Sequence, residues 1–185
     1  AVGSAMSLGW STGPAVALDP AAVEEARWQE TPRKARPRAK AVDPLLVRTQ
    51  ILLDRLRFSP GVIDGRAGDN LRAALRAFEE AEGLPADGDL DAEVFAKLTQ
   101  SSPEPVLTTY EITRKDLNLP FRKSLPSRLE KMAELEAMPY RTPREMLAER
   151  FHASEALLAA LNPRATFAAA GEVIRVPAVR GEARK

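Results

Sequence analysis

Two short segments of the chain combine residue types that can bind a charged ligand, and each contains an Asp-Gly pair ahead of a predicted helix. The first is Ile63-Asp64-Gly65-Arg66 and the second is Ala86-Asp87-Gly88. Asp-Gly accepts the backbone angles of a tight turn at low cost, and a turn beside a helix N-terminus presents N–H donors to an anion. Arg66 adds a guanidinium that can hold a carboxylate through two parallel hydrogen bonds. The first segment therefore predicts a binding loop, and the alternative is a simple turn with a solvated arginine.

Three neighbours complete the candidate binding set, and each has a structural alternative. Phe58 is an aromatic residue that can line a groove, but both Phe58 and Ile63 also suit the core. Asn70 can hydrogen-bond a ligand or cap the helix that follows. The full candidate set is Phe58, Ile63, Asp64, Gly65, Arg66 and Asn70.

Composition removes most catalytic and metal chemistry. The chain has no cysteine and a single histidine, His152, which excludes thiolate nucleophiles, disulfides and multi-histidine metal sites. We expect His152, near a helix end, to interact with the helix dipole or to make an exposed contact rather than to catalyse. The carboxylates at residues 87–93 lack the alternation of a calcium-binding loop. No catalytic residue, metal or cofactor is therefore predicted, and a hydrolase that works through carboxylates alone is the catalytic alternative left open.

Net charge argues against a polyanionic partner for the chain as a whole. Its 185 residues carry 27 Lys and Arg against 26 Asp and Glu, a net charge of +1, so no strong field steers it to nucleic acid or an anionic membrane. The basic, proline-broken run at residues 33–40 is typical of a solvated linker, with nucleic acid or anionic wall polymers as alternative partners. No run of 18 apolar residues occurs, so no transmembrane segment is predicted.

Local signals divide the chain into a lead and two units. Residues 1–42 are rich in proline and glycine and are expected to form a flexible lead or linker, with one short helix from Ala21 to Gln29 behind the cap Asp19-Pro20. Residues 43–100 are expected to form three helices. These helices are predicted to start at Asp43-Pro44, at Asp69 or Asn70 and near Asp91, with Gly83 ending the second.

Apolar residues at helical spacing predict the face that each of these helices buries. The predicted stripe on the first helix is Leu46, Gln50, Leu53 and Leu56, in which Gln50 is a polar interruption. The stripes on the second and third helices are Leu71, Ala74, Leu75 and Phe78, then Val94, Phe95 and Leu98. Three amphipathic helices of this length can close one small core.

Residues 106–180 are predicted to form an α+β unit. A strand is expected near Thr108–Ile112 and another at Glu172–Pro177. Between the strands we expect helices capped by Ser127, by Thr142-Pro143 with Glu145 completing a capping box, and by Ser154. The result is a two-stranded sheet against a helix pair, with an additional helix from Ser127 to Ala137.

Residues 50–98 resemble a peptidoglycan-binding domain of the small three-helix type found on cell-wall enzymes. The residues that match the family pattern in order and spacing are Gln50, Leu53, Phe58, Gly61, Ile63, Asp64, Gly65, Gly68, Ala74, Phe78, Gly83, Leu84, Asp87, Gly88 and Leu98. The departures are Arg57 for glycine, Ala67 for phenylalanine, Leu71 for threonine and Glu79 for glutamine. In this family the threonine and the phenylalanine lie around the ligand groove.

The second unit resembles a LysM module. The resemblance is carried by Tyr110-Glu111-Ile112, by the helix that ends in Phe151, by Leu161-Asn162-Pro163 and by Gly171 through Pro177. The Gly-Asp-Thr that usually follows the first strand is missing, and residues 114–138 form an insertion.

The order of the two units resembles the non-catalytic N-terminal part of L,D-transpeptidases of the YkuD type. The resemblance implies a mainly α region, a three-helix bundle followed by a small α+β unit with a helical insertion. It also implies a periplasmic or cell-envelope protein that binds the glycan or the stem peptide of peptidoglycan and positions a catalytic domain beyond the C-terminus. The alternative is a protein-interaction or docking module that has lost glycan binding.

Overall fold

The computed structural model of the protein describes residues 17–30, 42–121 and 140–179. Within these ranges the chain is mainly helical, with a small two-stranded antiparallel sheet. The helices are α1 (Pro20–Glu24), α2 (Pro44–Arg55), α3 (Asp69–Glu82), α4 (Ala92–Ser101), α5 (Arg114–Leu117), α6 (Pro143–Arg150) and α7 (Glu155–Leu161), and the strands are β1 (Leu107–Glu111) and β2 (Val173–Pro177). The helix predicted from Ser127 to Ala137 lies outside the described residues. None of the described helices is long and apolar enough to cross a membrane.

Helices α2 and α4 begin where the sequence predicts. The carboxylate of Asp43 accepts the N–H of Leu45 at 2.9 Å, with Pro44 in the first helical turn, and Asp91 accepts the N–H of Val94 at 2.8 Å. Such caps satisfy N–H groups that have no partner inside the helix. The chain direction at both ends is therefore set by local hydrogen bonds.

The start of α3 corrects a prediction. Neither Asp69 nor Asn70 caps this helix: the N-cap residue is Gly68, which provides no side-chain hydrogen bond. Its C-terminus agrees with the prediction, because Gly83 is left-handed at φ 69° and the N–H of Leu84 bonds back to the carbonyl of Glu79 at 2.8 Å. The N-terminal turn of α3 is thus left without a side-chain cap.

The buried faces of α3 and α4 match the predicted stripes, whereas α2 buries a broader surface. Leu46 and Leu56 of the predicted α2 stripe are only partly buried. Helix α2 contacts α1, α3 and α4, so several of its sides are covered. The residues of α2 that are buried are Val47, Thr49, Gln50, Ile51, Leu52 and Leu53.

A buried polar side chain fixes each of the two Asp-Gly turns. Gln50 on α2 accepts the N–H of Gly65 at 2.8 Å, and Glu79 on α3 accepts the N–H of Gly88 at 2.8 Å. Both glycines are left-handed, at φ 70° and 76°, and in each turn the aspartate accepts the N–H two residues ahead. Helices α3 and α4 follow at the same offset from the two glycines. The turn-plus-helix repeat is therefore held by equivalent side chains from the preceding helices.

The second unit packs α6 and α7 on the two-stranded sheet. Strands β1 and β2 pair from Leu107 opposite Pro177 to Glu111 opposite Val173, one residue earlier on β1 than predicted. Asn162, which ends α7, donates to the carbonyl of Arg175 at 2.7 Å and accepts its N–H at 2.6 Å. This paired contact ties the helix end to the strand.

The cap of α6 is Thr142, as predicted, but the capping box is incomplete. The Thr142 hydroxyl accepts the N–H of Glu145 at 3.1 Å, whereas the Glu145 carboxylate accepts the N–H of Arg141 at 2.6 Å, one residue before the cap. A complete capping box occurs instead at Thr113 and Asp116, on the short helix α5 that the sequence analysis did not predict.

Asp116 is the centre of a buried polar cluster. Its carboxylate accepts the Tyr110 hydroxyl at 2.7 Å, the N–H and hydroxyl of Thr113 at 2.8 Å each, and a guanidinium N–H of Arg150 at 2.7 Å. Burial alone would raise the pKa of Asp116, but these hydrogen bonds outweigh it and lower the pKa from 3.8 to about 2. The cluster joins β1, α5 and α6.

Residues 17–30 pack across both units, although they fall in the segment expected to be a lead. Helix α1 ends at Glu24, sooner than the predicted Gln29. The Glu24 carboxylate accepts the N–H groups of Val106 and Leu107 at 3.1 and 2.6 Å, and the Trp28 indole donates to the carbonyl of Leu90 at 3.1 Å. Val23 is completely buried.

The two units also meet directly through backbone hydrogen bonds. The N–H of Ile63 donates to the carbonyl of His152 at 2.8 Å, and the N–H of Ser154 donates to the carbonyl of Ile63 at 2.9 Å. This parallel bridge between Ile63 and Ala153 places the first Asp-Gly turn next to the α6–α7 junction. The buried apolar residues of both units form one continuous cluster.

Replacement of Asp116 by asparagine is expected to destabilise the protein by about 3 kcal/mol at pH 7, because Arg150 loses its buried carboxylate. The depressed pKa of Asp116 also means that its stabilising contribution is present above 3.8 and is lost as the pH falls toward 2. Urea unfolding between pH 2 and pH 7 should show a steeper acid loss for the wild type than for Asp116→Asn. Parallel pH profiles for the two proteins would contradict this assignment.

Replacement of Glu79 by glutamine is expected to stabilise the protein at pH 7 by about 1 kcal/mol, because the neutral amide removes a buried negative charge beside three aspartates and its carbonyl can still accept the N–H of Gly88. Burial raises the pKa of Glu79, the hydrogen bond from Gly88 lowers it, and Asp87, Asp91 and Asp89 raise it further, for a net increase. A raised pKa makes the contribution of Glu79 largest below 4.5 and smaller as the pH rises. Unfolding at pH 4 and pH 8 should show this decline in the wild type and not in Glu79→Gln. A glutamine variant that is less stable at pH 8 would contradict it.

Candidate functional site

Gln50 closes the turn that carries the predicted binding residues. Its side-chain carbonyl accepts the N–H groups of Asp64 and Gly65 at 3.1 and 2.8 Å. Its amide nitrogen donates to the Asp64 carboxylate at 3.2 Å and to the carbonyl of Arg66 at 3.3 Å. Gln50 is 2% exposed, so four hydrogen bonds to a buried side chain hold the backbone in one geometry.

Gly65 is packed as tightly as its backbone allows. A Cβ atom at this position would lie 2.6 Å from Cγ1 of Val42 and 2.7 Å from Cγ2 of Val47. Its carbonyl also accepts the N–H of Asp43 at 2.9 Å, which links the turn to the start of α2. Of the predicted binding residues in this turn, Asp64 and Arg66 are therefore the ones whose side chains reach solvent.

Arg66 and the start of α3 form the exposed part of the turn. Arg66, Gly68, Asp69 and Asn70 are all exposed. Among the described residues the Arg66 guanidinium forms no ion pair, whereas the Asp64 carboxylate already accepts the N–H of Arg66 at 2.9 Å. We refer to Asp64, Gly65, Arg66 and the first turn of α3 as the Arg66 turn. It presents a guanidinium beside a helix N-terminus, which is a favourable environment for an anion.

Phe58 and Ile63 lie outside the Arg66 turn, whereas Asn70 lies in its helical part. Phe58 is partly buried and packs edge to face on Phe78, with ring centroids 5.5 Å apart. Ile63 is completely buried, so its side chain belongs to the core, and its backbone makes the bridge to the second unit. The amide nitrogen of Asn70 lies 2.8 Å from the point where a Cβ would stand on Gly61.

Sequence reasoning missed the role of Gln50, although the signal was present. A polar residue inside an apolar stripe on α2 had no assigned partner, and a buried amide requires one. The partner is a turn that begins 14 residues later, a separation that helical periodicity does not describe.

A surface groove of about 790 Å³ lies where the two units meet. We refer to it as the junction groove. One wall consists of Asp54, Arg57, Ser59, Gly61 and Val62. The other wall consists of Glu145, Ala148, Glu149, His152, Ala153, Ser154 and Glu155. The predicted residues of the Arg66 turn do not line it.

His152 makes an exposed contact, one of the two expected arrangements, and this contact joins the two walls of the groove. Its Nδ1 atom lies 2.9 Å from a carboxylate oxygen of Asp54 on α2. Within the described part of the chain no serine hydroxyl hydrogen-bonds to the His152 ring, so a nucleophilic triad is not assembled there. The described residues also contain no group of three or more histidine or carboxylate side chains that could hold a metal.

Replacement of Gly65 by alanine is expected to destabilise the protein by about 2–4 kcal/mol, because a Cβ would meet both valines and a left-handed backbone is unfavourable for alanine. The matched control is Gly83→Ala at φ 69°, where a Cβ meets nothing within 4 Å. That variant carries the backbone cost alone, about 1 kcal/mol. Chemical denaturation of both variants gives the difference, and equal losses would show that Gly65 is not sterically constrained.

Comparisons with known proteins bear on the first unit. No curated protein matches the chain. One family model, described as "Putative peptidoglycan binding domain", matches residues 43–98. The matched segment starts at the cap of α2 and ends at Leu98 on α4. It contains Gln50 and Glu79, the two buried side chains that hold the Asp-Gly turns, and the whole Arg66 turn. The helical unit at residues 43–98 is thus a match to a family of non-catalytic peptidoglycan-binding domains, which implies peptidoglycan as a partner and association with the cell wall.

Proposed function

We propose that this chain is a non-catalytic peptidoglycan-binding region that positions an L,D-transpeptidase catalytic domain on its substrate in the periplasm or cell envelope. The family match at residues 43–98 supports the binding part of this proposal. The transpeptidase part is supported by the order of the two units and their resemblance to the N-terminal region of the YkuD type. A LysM-like second unit is part of the same proposal.

The observation that carries the proposal is the construction of the Arg66 turn within the matched segment. Gln50 fixes the backbone from Asp64 to Arg66 before any ligand arrives. A preformed turn avoids much of the ordering cost of binding. Two exposed groups are then available, the Arg66 guanidinium and the N–H groups at the start of α3.

These two groups can bind the two polar groups of peptidoglycan, the carboxylate of the stem peptide and the acetamide of the glycan. A guanidinium pairs with the carboxylate of a stem peptide in a bidentate geometry. Backbone N–H groups and the Asn70 amide can bind the acetamide oxygens of the glycan, and α3 leaves its first turn without a side-chain cap. We favour the carboxylate of the stem peptide as the group held by Arg66.

Tethering explains how a region without chemistry of its own would assist catalysis. A catalytic domain held beside the wall meets its substrate at a high effective concentration. The chain has no cysteine, so the thioester step of an L,D-transpeptidase would belong to a domain beyond residue 185.

A protein-docking module is the second candidate, and the position of Leu71 favours it. The family has threonine here, but Leu71 is only 5% exposed and packs in the core. It therefore offers no hydroxyl to a glycan, and Ala67 offers no aromatic surface. Under this alternative the exposed surface would bind a protein of the cell wall.

The decisive test is co-sedimentation of the chain with purified peptidoglycan sacculi. We expect the wild type to pellet at low salt, and Arg66→Ala to raise the apparent Kd about fivefold, the effect of one exposed ion pair. High salt should weaken binding by the wild type because exposed charges are screened.

The matched control is Arg76→Ala, which removes an exposed arginine from α3 away from the turn. A fivefold rise in the apparent Kd for Arg66→Ala but not for Arg76→Ala assigns the turn as the site. A wild type that stays in the supernatant at low salt rejects wall binding and leaves the docking module as the function.

A further inference from the structure

We propose that the junction groove is a second ligand site, in which Arg57 binds the carboxylate and Glu149 the ammonium of a peptidoglycan stem peptide that carries both groups free. This inference rests on the proposed wall-binding function but assigns it a separate surface. Its residues come from both units, whereas the family match covers only the first.

The groove is open to solvent, and its volume of about 790 Å³ falls within the range of small-ligand sites. Val62 contributes an apolar side chain that is 58% exposed, whereas Ala148 and Ala153 in its lining are buried. A peptide backbone with an aliphatic side chain fits this combination.

Arg57 adopts a backbone conformation that arginine disfavours. Its φ is 71°, in the left-handed region, where a side chain costs roughly 1–2 kcal/mol. The peptidoglycan-binding pattern has glycine at this position, the residue that adopts this conformation without penalty. Arg57 follows the C-cap of α2, where the N–H of Phe58 bonds back to the carbonyl of Leu53 at 2.9 Å, so the left-handed backbone belongs to the cap that ends the helix. Arginine in this cap is less favourable than glycine, and it adds a cation to the lining of the groove.

The charges of the groove leave Arg57 and Glu149 available to a ligand. Asp54 is paired with His152, and the other two carboxylates, Glu145 and Glu155, form ion pairs with Arg141 and Arg144. Within the described residues, Arg57 has no acidic partner, and Glu149 accepts only the neutral Tyr140 hydroxyl, at 3.1 Å.

A ligand with one positive and one negative group complements this arrangement. Arg57 belongs to the loop after α2 and Glu149 to α6, so the exposed cation and anion come from different walls. A ligand with both charges can form an ion pair at each wall, whereas a singly charged ligand can form only one. The free amino and carboxyl groups of a stem peptide supply both, attached to an aliphatic chain that can pack on Val62.

The test is titration calorimetry of the whole chain with a soluble disaccharide-peptide released from sacculi by a muramidase, whose ammonium and carboxylate groups are free. We expect Arg57→Gly to weaken binding about tenfold, the effect of a lost hydrogen bond to a charged group. The same variant should keep or raise the thermal midpoint, because glycine relieves the left-handed strain. A merely structural arginine would not give these opposite effects.

Two further measurements test the charge assignment. Acetylation of the free amine of the fragment should weaken binding to the wild type, and Glu149→Gln should remove that discrimination. Arg76→Ala serves as the control for loss of one positive charge and should leave the affinity unchanged. An Arg57→Gly variant that binds the fragment as the wild type does, or a wild type that does not distinguish the acetylated fragment, would overturn the proposal.

Failure of this inference can be separated from failure of the proposed function. If Arg66→Ala weakens pelleting with sacculi but Arg57→Gly binds the soluble fragment as the wild type does, the junction groove is not a stem-peptide site and the Arg66 turn remains the wall contact. If the chain neither pellets nor binds the fragment, both proposals fall. If Arg57→Gly loses the fragment while Arg66→Ala keeps it, the two surfaces bind independently.

Discussion

The hydrogen bond from a left-handed glycine to a buried side-chain oxygen of the preceding helix is the constraint on which the first unit depends. It occurs twice, from Gly65 to Gln50 and from Gly88 to Glu79. An unpaired N–H buried at either turn would cost more free energy than its hydrogen bond contributes, so neither turn can shift alone. The two anchors differ in chemistry. The amide of Gln50 satisfies both its donor and its acceptor groups, whereas one oxygen of Glu79 has no partner among the residues that the structure describes.

The loop that contains the first Asp-Gly turn also connects the two units, so the hydrogen bonds of Gln50 influence the contact between the units as well. Ile63 is the residue before the first Asp-Gly pair, and its backbone bonds to His152 and Ser154. A displacement of the turn would therefore disturb both Gln50 and the α6–α7 junction. The junction groove and the Arg66 turn lie on either side of this fixed residue, so both surfaces share one rigid support.

Local signals in the sequence predicted the ends of helices well, because a cap is a contact between residues two or three positions apart. Asp43, Asp91, Thr142 and Ser154 all cap the helices assigned to them. The features that were not predicted depend on contacts between distant residues or on backbone angles.

Three misses illustrate this limit. The start of α3 was placed on Asp69 or Asn70 because both are good caps, but the extended backbone at Gly68 precedes them. Helix α5 has only four residues and therefore no periodicity. Its local signal is the capping box of Thr113 and Asp116, and Asp116 also accepts a hydrogen bond from Arg150, 34 positions away. The left-handed backbone of Arg57 has no sequence signal apart from the family glycine that it replaces. The junction groove that Arg57 helps to line was therefore not predicted. The chemistry of the candidate residues could be predicted, but the surface that two units create together could not.

Arg57 and Arg66 also suit a polymer that repeats the same charged group. Each of these arginines must immobilise a long side chain to make an ion pair. An exposed pair contributes little on its own, on the order of 1 kcal/mol. Two weak contacts on one rigid body gain far more when the ligand presents the same group at many places, because the second contact forms at a high effective concentration. Weak individual sites also release quickly, so a wall polymer could be held firmly while each of its peptides stays accessible to an enzyme.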